Sequence, residues 1–213
     1  DPAQAAGANR QRLAQALGCE PVFLQQVHGT QVLHLPSPTA APTPVADACL
    51  SLAPQTVCTI MVADCLPVLL TDRAGRCVAA AHAGWRGLAQ GVLESTVAAM
   101  RQSLAGVDAA PTLLAWLGPC IGPEAFEVGA EVKAAFEASS PEAVRHFKPL
   151  GPGKWLANLS GLARMRLQAA GVASLHGNDG GPAWCTVANA SRFFSHRRDR
   201  VSGRMAACIW RSA

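Results

Sequence analysis

A long apolar run, residues 57–70, predicts a buried strand. The run is almost unbroken Val, Ile, Met, Leu and Ala, which is typical of a strand covered on both faces. Asp64 and Cys65 interrupt it, and Pro67 lacks the N–H of a strand interior, so we expect a bend or bulge there. Asp64 is either a turn cap or a functional carboxylate, and Cys65 is either a small buried side chain or a reactive thiol.

A second apolar run, residues 77–83, predicts another buried strand. His82 lies near its end, and Gly84-Trp85-Arg86-Gly87 follows directly before a helical pattern. A strand, a glycine-containing turn and a helix start expose backbone N–H groups, which together with the helix dipole favour anions. Arg86 would add a full positive charge at this turn, although an ordinary surface role for it is equally open.

Helical and strand patterns alternate along the rest of the chain. Helices are predicted at residues 2–17, ending at Gly18, at 88–104, at 129–138, and at 159–170 between a cap at Asn158 and a stop at Gly171. Residues 21–33 are predicted to form a strand pair or one bent strand, turning at His28-Gly29. Further strands are predicted at 112–117, 172–175, 184–186 and 203–210. A Pro-rich loop is predicted at 36–44 and a turn at 151–154. This alternation without internal repeats predicts a single mixed α/β domain over residues 1–213.

Composition narrows the class of protein. A chain of 213 residues, half of them apolar, can bury one substantial core. A net charge of +4 without Tyr or a basic stripe argues against nucleic-acid binding, and no apolar run reaches the ~18 residues of a membrane span. The eight cysteines lie largely within apolar runs and form no C-x-x-C motif, which favours free thiols in the cytoplasm over disulfides or a zinc ribbon.

Three side chains with metal-binding or nucleophilic chemistry lie where predicted strands end or bend. They are His28, Cys65 and His82. If these positions meet at one edge of a sheet, two imidazoles and one thiolate would leave a fourth zinc position open, as in catalytic rather than structural zinc sites. The same residues also allow a metal-free cysteine hydrolase, with Cys65 as nucleophile and His82 as base. A turn histidine and a buried thiol would need neither function.

Five ordered segments resemble a known bacterial family. They are QQVHG at 25–29, VADCLPVLL at 62–70, AAHAGWRG at 80–87, LGPCIGPEAFEVG at 117–129, and FFSHRRD with SGRMAACIW at 193–210. The family carries the older name of laccase-domain proteins or multicopper polyphenol oxidases, and it has been reassigned to zinc-dependent purine nucleoside phosphorylases. The resemblance covers nearly the whole chain. It implies a layered α/β/β/α sandwich with mixed sheets, similar to cysteine-dependent deamidase toxins.

The resemblance also implies a reaction and a ligand set. The reaction is phosphorolysis of purine nucleosides (adenosine, inosine, guanosine and methylthioadenosine), with adenosine deamination as a side activity. His28, Cys65 and His82 would be the ligands of a Zn ion, and Cys65 and His82 would thereby be catalytic. Family members usually begin with some tens of residues containing an Arg-x-Gly-Gly element, which this chain is expected to lack. The expected partners are a purine nucleoside and phosphate, and the expected state is a monomer or a homodimer.

Three further residues have expected roles beside these ligands. Asp64, expected to be catalytic together with Cys65 and His82, would orient an imidazole or meet the substrate directly, as carboxylates next to metal sites do. Arg86 at the glycine-containing turn would bind phosphate. Arg197, in a polar stretch with Ser195 and His196, would contact the substrate.

The older laccase name implies copper, and the number and spacing of the histidines test that alternative. Oxygen-reducing copper oxidases need several coppers, whose ligands typically arrive in paired H-x-H motifs. This chain has six histidines and no H-x-H motif. Copper and polyphenol oxidation are therefore kept as alternatives to zinc and phosphorolysis. A third alternative, a non-catalytic binding module, would require zinc that is fully ligated by protein.

Overall fold

Helices and strands alternate along the chain in the computed structural model, which describes residues 3–36 and 43–212. The helices are α1 Ala3–Leu17, α2 Trp85–Gln90, α3 Val92–Leu104, α4 Ala130–Glu137, α5 Leu159–Ala169 and α6 His196–Asp199, with 3-10 helices at Pro141–His146 and Pro182–Trp184. The strands are β1 Pro21–Val22, β2 Val32–Leu35, β3 Ala48–Ser51, β4 Val57–Val62, β5 Leu66–Asp72, β6 Val78–Ala83, β7 Leu113–Leu117, β8 Glu127–Gly129, β9 Phe147–Gly151, β10 Lys154–Ala157, β11 Ser174–Gly177 and β12 Met205–Ile209.

The strands of the described residues form three sheets. The large sheet has the order β11-β7-β5-β6-β3-β2, with parallel pairs at both ends and antiparallel pairs between them. The small sheet has the order β1-β4-β12, with β1 parallel and β12 antiparallel to β4. Strands β8, β10 and β9 form an antiparallel third sheet. The predicted mixed α/β class with mixed sheets is confirmed.

Two apolar cores separate the layers of the fold. One core joins the large sheet to α3 and α5, and the other lies between the large and small sheets. Strand β3 contributes to both, because successive side chains of a strand point to opposite faces: Leu50 packs in the first core and Cys49 in the second. A groove between α1 and the outer side of the small sheet is lined by Leu13 and Met61. The layers therefore follow one another as helix, sheet, sheet and helices.

Residues 57–70 form two strands in different sheets, so the prediction of one bent strand is wrong. β4 belongs to the small sheet and β5 to the large sheet. Between them Asp64 has a φ of 86°, a left-handed conformation that turns the chain. The expected bend is therefore a crossover between sheets. It places Cys65 at the junction of the two layers.

Residues 21–33 also pass between the sheets and are not a strand pair. β1 pairs with β4 in the small sheet, whereas β2 pairs with β3 in the large sheet. The strand predicted at 184–186 is wrong as well. Pro182 starts a 3-10 helix there, and Cys185 makes only an isolated bridge with Cys120.

Several local predictions are confirmed. Asn158 caps α5 by accepting a hydrogen bond from the Gly161 N–H (2.8 Å), and Gly171 follows the helix with a φ of 75°. The turn at 151–154 connects β9 and β10. The helix predicted at 88–104 is divided by Gly91 (φ 101°) into α2 and α3. Strands β3, β8, β9 and β10 were not predicted, because they are short and carry weak alternation.

Some predictions fall outside the structure. The Pro-rich loop predicted at 36–44 lies largely outside the described residues, as does the start of the helix predicted at 2–17. The assignment of residues 1–213 to a single domain stays a prediction. Within the described part of the chain, no helix is long and apolar enough to cross a membrane.

Candidate metal centre

The segment between β1 and β2 holds His28 in a fixed turn. The Gln26 side chain exchanges two hydrogen bonds with the backbone of Met61 in β4: its Nε2 donates to the carbonyl (2.9 Å), and the Met61 N–H donates to Oε1 (2.8 Å). His28 itself has a φ of 62°, an uncommon conformation for a residue with a side chain. The turn leaves the imidazole exposed at the junction of the sheets.

Asp47 links the His28 turn to His82. Its fully buried carboxylate accepts backbone hydrogen bonds from Val27 (3.1 Å), His28 (2.8 Å) and Gly29 (2.7 Å). The same carboxylate lies 2.8 Å from His82 Nδ1, which donates to it. Asp47 therefore positions one imidazole through the backbone and the other through its ring. Asp47 is not among the residues predicted from the sequence, although a carboxylate directly before a short apolar run is a usable signal.

The three predicted ligand residues come together in the structure. The donor atoms of His28, Cys65 and His82 all lie within 4.8 Å of one another. Cys65 Sγ lies 3.7 Å from His28 Nε2, and the two imidazole rings meet edge to face with centroids 4.7 Å apart. His82 is buried, Cys65 is half-buried and His28 is exposed. The group is therefore open to solvent on one side.

The donor set fits zinc. With Zn–N near 2.05 Å and Zn–S near 2.3 Å, tetrahedral geometry separates a nitrogen and a sulfur ligand by about 3.6 Å, close to the distance between Cys65 and His28. Because Asp47 occupies Nδ1 of His82, the other ring nitrogen is left for a metal. A carboxylate that fixes the tautomer of a ligating histidine is common in zinc sites. Three protein ligands also leave a fourth position open.

Gly84 keeps space beside the ligands. A Cβ atom at this position would lie 2.6 Å from Cδ2 of His28 and 3.0 Å from Sγ of Cys65. Contacts this short require the neighbours to move. The glycine before α2 is therefore needed for close approach of the chain to the ligand group.

Mutual interactions shift the ionisation of the ligand group. Burial alone would raise the pKa of Cys65, but hydrogen bonds and charge interactions with His28 and His82 lower that pKa to about 7. Burial alone would lower the pKa of His82, but hydrogen bonds with Asp47 and Cys65 raise it to about 9. Burial disfavours the Asp47 carboxylate, yet its hydrogen bonds lower the pKa of this group below the ordinary value. Near pH 8 the metal-free site therefore favours a thiolate beside an imidazolium.

Alkylation should reveal this thiolate. In metal-free protein, we expect iodoacetamide to modify Cys65 fastest of the eight cysteines, with a rate that rises as the pH increases through about 7, because the thiolate is the nucleophile. Mass spectrometry of peptides from a pH series measures this rate, and Cys19, also partly exposed, serves as the internal control. Added zinc should protect Cys65. A midpoint near the ordinary thiol pKa of ~8.5 would contradict the lowered pKa of Cys65, and no protection by zinc would contradict the ligand assignment.

A pocket of about 230 Å³ opens beside the ligand group. Its lining combines candidate ligand residues, two arginines, a further histidine, one carboxylate and apolar side chains: His28, Ala63, Asp64, Cys65, Trp85, Arg86, Ile121, Phe126, Leu159, His196 and Arg197. A larger groove of about 410 Å³ beside α1 contains no residue of the ligand group. The pocket at the ligand group suits a small molecule with an apolar part and an anionic part.

Asp64 lies in this pocket, but its predicted contact with an imidazole is wrong. The Thr186 hydroxyl donates to its Oδ1 (2.5 Å), and the Arg197 N–H donates to its Oδ2 (2.6 Å). The carboxylate that orients an imidazole is Asp47, because the ends of β3 and β6 are neighbours in the large sheet.

The other predicted substrate contacts also lie at the pocket. Arg86 is exposed in the first turn of α2, with its guanidinium over the Trp85 ring (4.4 Å to the centroid). Arg197 is exposed in α6, with its guanidinium 5.7 Å from the centroid of Phe126. His196 lines the pocket, whereas Ser195 is buried and caps α6. Phe126, Ile121 and Leu159 also line the pocket, although no sequence pattern distinguishes them from ordinary apolar residues.

The fold and the ligand group together define a mixed α/β protein with a candidate metal site where two sheets meet. The chain belongs to the family described as multi-copper polyphenol oxidoreductase laccase, whose model matches residues 1–212.

Relatives in this family carry a different functional name. The chain is 49% identical over 213 residues to a Pseudomonas aeruginosa protein named purine nucleoside phosphorylase PA4543, covering 99% of this chain and 82% of the relative. It is 50% identical over 204 residues to the Escherichia coli protein named purine nucleoside phosphorylase YfiH, covering 95% and 79%. Among solved structures, Neisseria meningitidis NMB0706 superposes with a TM-score of 0.89 at 44% identity, covering 100% of this chain and 84% of that one.

Proposed function

We propose that this protein catalyses the zinc-dependent phosphorolysis of purine nucleosides to the free base and ribose 1-phosphate. Adenosine, inosine, guanosine and methylthioadenosine are the proposed substrates, and hydrolytic deamination of adenosine is a proposed side reaction. The observation that carries the proposal is the three-residue ligand group, which opens onto a small pocket with two arginines at its edge. The relatives named purine nucleoside phosphorylase support the same reaction.

The pocket matches both substrates in charge and polarity. Arg86 and Arg197 offer guanidinium donors to the oxygens of phosphate, with which arginine pairs well. Phe126, Ile121 and Leu159 offer an apolar surface for the flat purine ring. In the proposed reaction a phosphate oxygen forms a bond to the anomeric carbon while the bond from that carbon to the purine nitrogen breaks. Phosphate and base must therefore lie on opposite sides of the sugar.

His28, Cys65 and His82 are the proposed metal ligands. When bound there, zinc would supply Lewis acidity beside the substrate, for glycosidic cleavage as well as for deamination. Cys65 and His82 are catalytic in this proposal as ligands, and Asp47 keeps His82 in the tautomer that ligation requires. Asp64 borders the substrate space. Because all eight cysteines are free thiols, we assign the reaction to the cytoplasm.

Two other functions draw on features of the same site. The lowered pKa of Cys65 beside His82 also suits a cysteine hydrolase, which would work without metal. The family description suggests copper and polyphenol oxidation. Among the described residues, however, one group of His, Cys, Asp or Glu side chains could hold a metal ion, whereas oxygen-reducing copper oxidases need several coppers. We therefore favour zinc.

The deciding experiment separates these reactions by their products. Adenosine and inosine are incubated with the zinc-loaded protein, with and without phosphate, and free base, ribose 1-phosphate and inosine are followed by chromatography. We expect base release that depends on phosphate and yields one ribose 1-phosphate per base. Base release without phosphate would indicate a hydrolase instead. No turnover of either nucleoside by zinc-loaded protein would overturn the proposal, and oxygen uptake with a phenol would indicate the oxidase.

A further inference from the structure

Asp64 is attached to three separate segments around the pocket. Its backbone carbonyl accepts a hydrogen bond from the Ile121 N–H (2.9 Å) in the loop after β7. Its Oδ1 accepts from the Thr186 hydroxyl (2.5 Å), and its Oδ2 accepts from the Arg197 N–H (2.6 Å) at α6. The next residue in the chain is Cys65. A single residue thus connects a metal ligand to the loops on the other side of the pocket.

The segments held by Asp64 carry pocket residues. Ile121 lines the pocket directly, and Arg197 lines it together with its neighbour His196. The guanidinium of Arg197 also donates to the Glu127 carbonyl (3.3 Å), which keeps it near the Phe126 ring. We call Ile121, His196 and Arg197 the pocket wall.

Thr186 supports the same wall from the interior. Its side chain is fully buried, and its carbonyl accepts a hydrogen bond from the Arg198 guanidinium (2.7 Å). Arg198 also donates to the carbonyls of Val187 and Phe193. The short helix α6 is therefore fastened on one side through Arg198 and on the other through Asp64. Both attachments lead to the strand crossover that carries Cys65: the first runs through Thr186 to Asp64, and the second is the bond from the Arg197 N–H to Asp64.

We propose that Asp64 and Thr186 are positioning residues that hold the pocket wall at a fixed distance from the metal ligands and thereby set the affinity for substrate. The expected effect on substrate affinity rests on the proposed function. In this role Asp64 contacts no imidazole, and Thr186 acts through Asp64 without contacting the substrate. A carboxylate suits the position because both of its oxygens face donors.

Two pairs of variants test the positioning role. Thr186→Val removes the hydroxyl at nearly constant shape, whereas Thr186→Ser retains it. Asp64→Gly removes the carboxylate without straining the left-handed backbone. Asp64→Asn keeps both contacts: its Oδ1 can accept from the Arg197 N–H, and its amide can donate to the Thr186 oxygen. Thr96→Val is the matched control, because Thr96 is equally buried and its hydroxyl donates to the Val92 carbonyl within α3, away from the pocket.

The kinetic test compares the change in KM with the change in kcat for each variant, after its zinc content has been measured. Loss of a hydrogen bond to a charged group should raise KM for nucleoside or phosphate about tenfold in Thr186→Val and Asp64→Gly, with a smaller change in kcat. Zinc content should stay equal to that of wild type. Thr186→Ser and Asp64→Asn should remain within about threefold of wild type, as should Thr96→Val. Equal KM in all variants, or a fall in kcat alone, would overturn the inference.

Hydrogen exchange tests the attachment without relying on catalysis. In Asp64→Gly the Arg197 amide loses its acceptor, so exchange across residues 195–199 should become about tenfold faster, while exchange across α3 stays unchanged. Unchanged exchange at 195–199 would overturn the inference whatever the reaction is. If exchange accelerates but wild type turns over no nucleoside, the positioning role stands and the proposed function fails.

Discussion

Replacing Cys65 with alanine should remove the bound metal and lower nucleoside turnover at least about a thousandfold, the scale of the several kcal/mol that a Lewis acid contributes to a transition state. Two imidazoles alone would hold zinc weakly, because His28 is exposed and has lost its sulfur neighbour at 3.7 Å. Metal analysis and turnover are measured on the same preparation. Treatment of wild type with a chelator should give the same loss, and added zinc should reverse it.

Cys19→Ala is the matched control for this substitution. Cys19 is also a partly exposed free thiol, but it lies after α1, and its Sγ donates to the Leu17 carbonyl. We expect full zinc content and full turnover in this variant. Full zinc content in Cys65→Ala would refute the ligand assignment. Activity that survives complete removal of metal, yet is lost in Cys65→Ala, would instead favour the cysteine hydrolase.

Replacing Asp47 with alanine should damage both stability and metal binding. The change leaves three backbone N–H groups and the Nδ1 of His82 without their acceptor in a buried site. Removing one partner of a buried charged pair costs about 3–5 kcal/mol of unfolding free energy. Loss of the carboxylate that orients a ligating histidine lowers metal affinity by about 10–100-fold. Denaturant unfolding of the metal-free protein and zinc titration of the folded variant measure the two effects separately.

Asp72→Ala provides the comparison for Asp47. Asp72 is also a buried carboxylate that accepts backbone hydrogen bonds, from Arg76 and Cys77, but it lies at the far end of β5. This variant should lose stability while its folded fraction binds zinc normally. If Asp72→Ala and Asp47→Ala weaken zinc binding equally, the effect of Asp47 is one of general stability and not of ligand positioning.

The pH dependence of the Asp47 contribution has a definite sign. The pKa of Asp47 is lower in the folded protein than its ordinary value, so the carboxylate stabilises the fold above the unfolded pKa of ~3.9. This stabilisation is lost as the pH falls through the folded pKa. The difference in unfolding free energy between wild type and Asp47→Ala should therefore shrink below about pH 4. It should also shrink as the pH rises from about 6.5 to 9, because, against the opposing effect of burial, the hydrogen bond with Asp47 helps to raise the pKa of His82 to about 9, and His82 loses its charge over that range. A difference that grows as the pH falls below about 4 would contradict the assignment.

The ligand group itself was accessible from the sequence. His28, Cys65 and His82 each lie within two positions of a residue that bends the chain, and each interrupts or ends an apolar segment. Such residues are costly inside a core, so their positions point to a site rather than to packing. The family resemblance then selected a metal site among the alternatives that spacing left open. The cap at Asn158 and the stop at Gly171 could also be predicted from the sequence, because capping and left-handed turns depend on local chemistry.

The sequence by itself thus determined the mixed α/β class, the two ends of α5 and the three residues of the candidate ligand group, since each follows from local periodicity or from a residue's own chemistry. Only the tertiary structure decided that residues 57–70 divide between two sheets, that Asp47 orients His82, and that Asp64 joins Thr186 to Arg197. Asp64 and Arg197, for example, are 133 positions apart in the chain. Such contacts form only when loops from different layers are packed together, so no local pattern of residues encodes them.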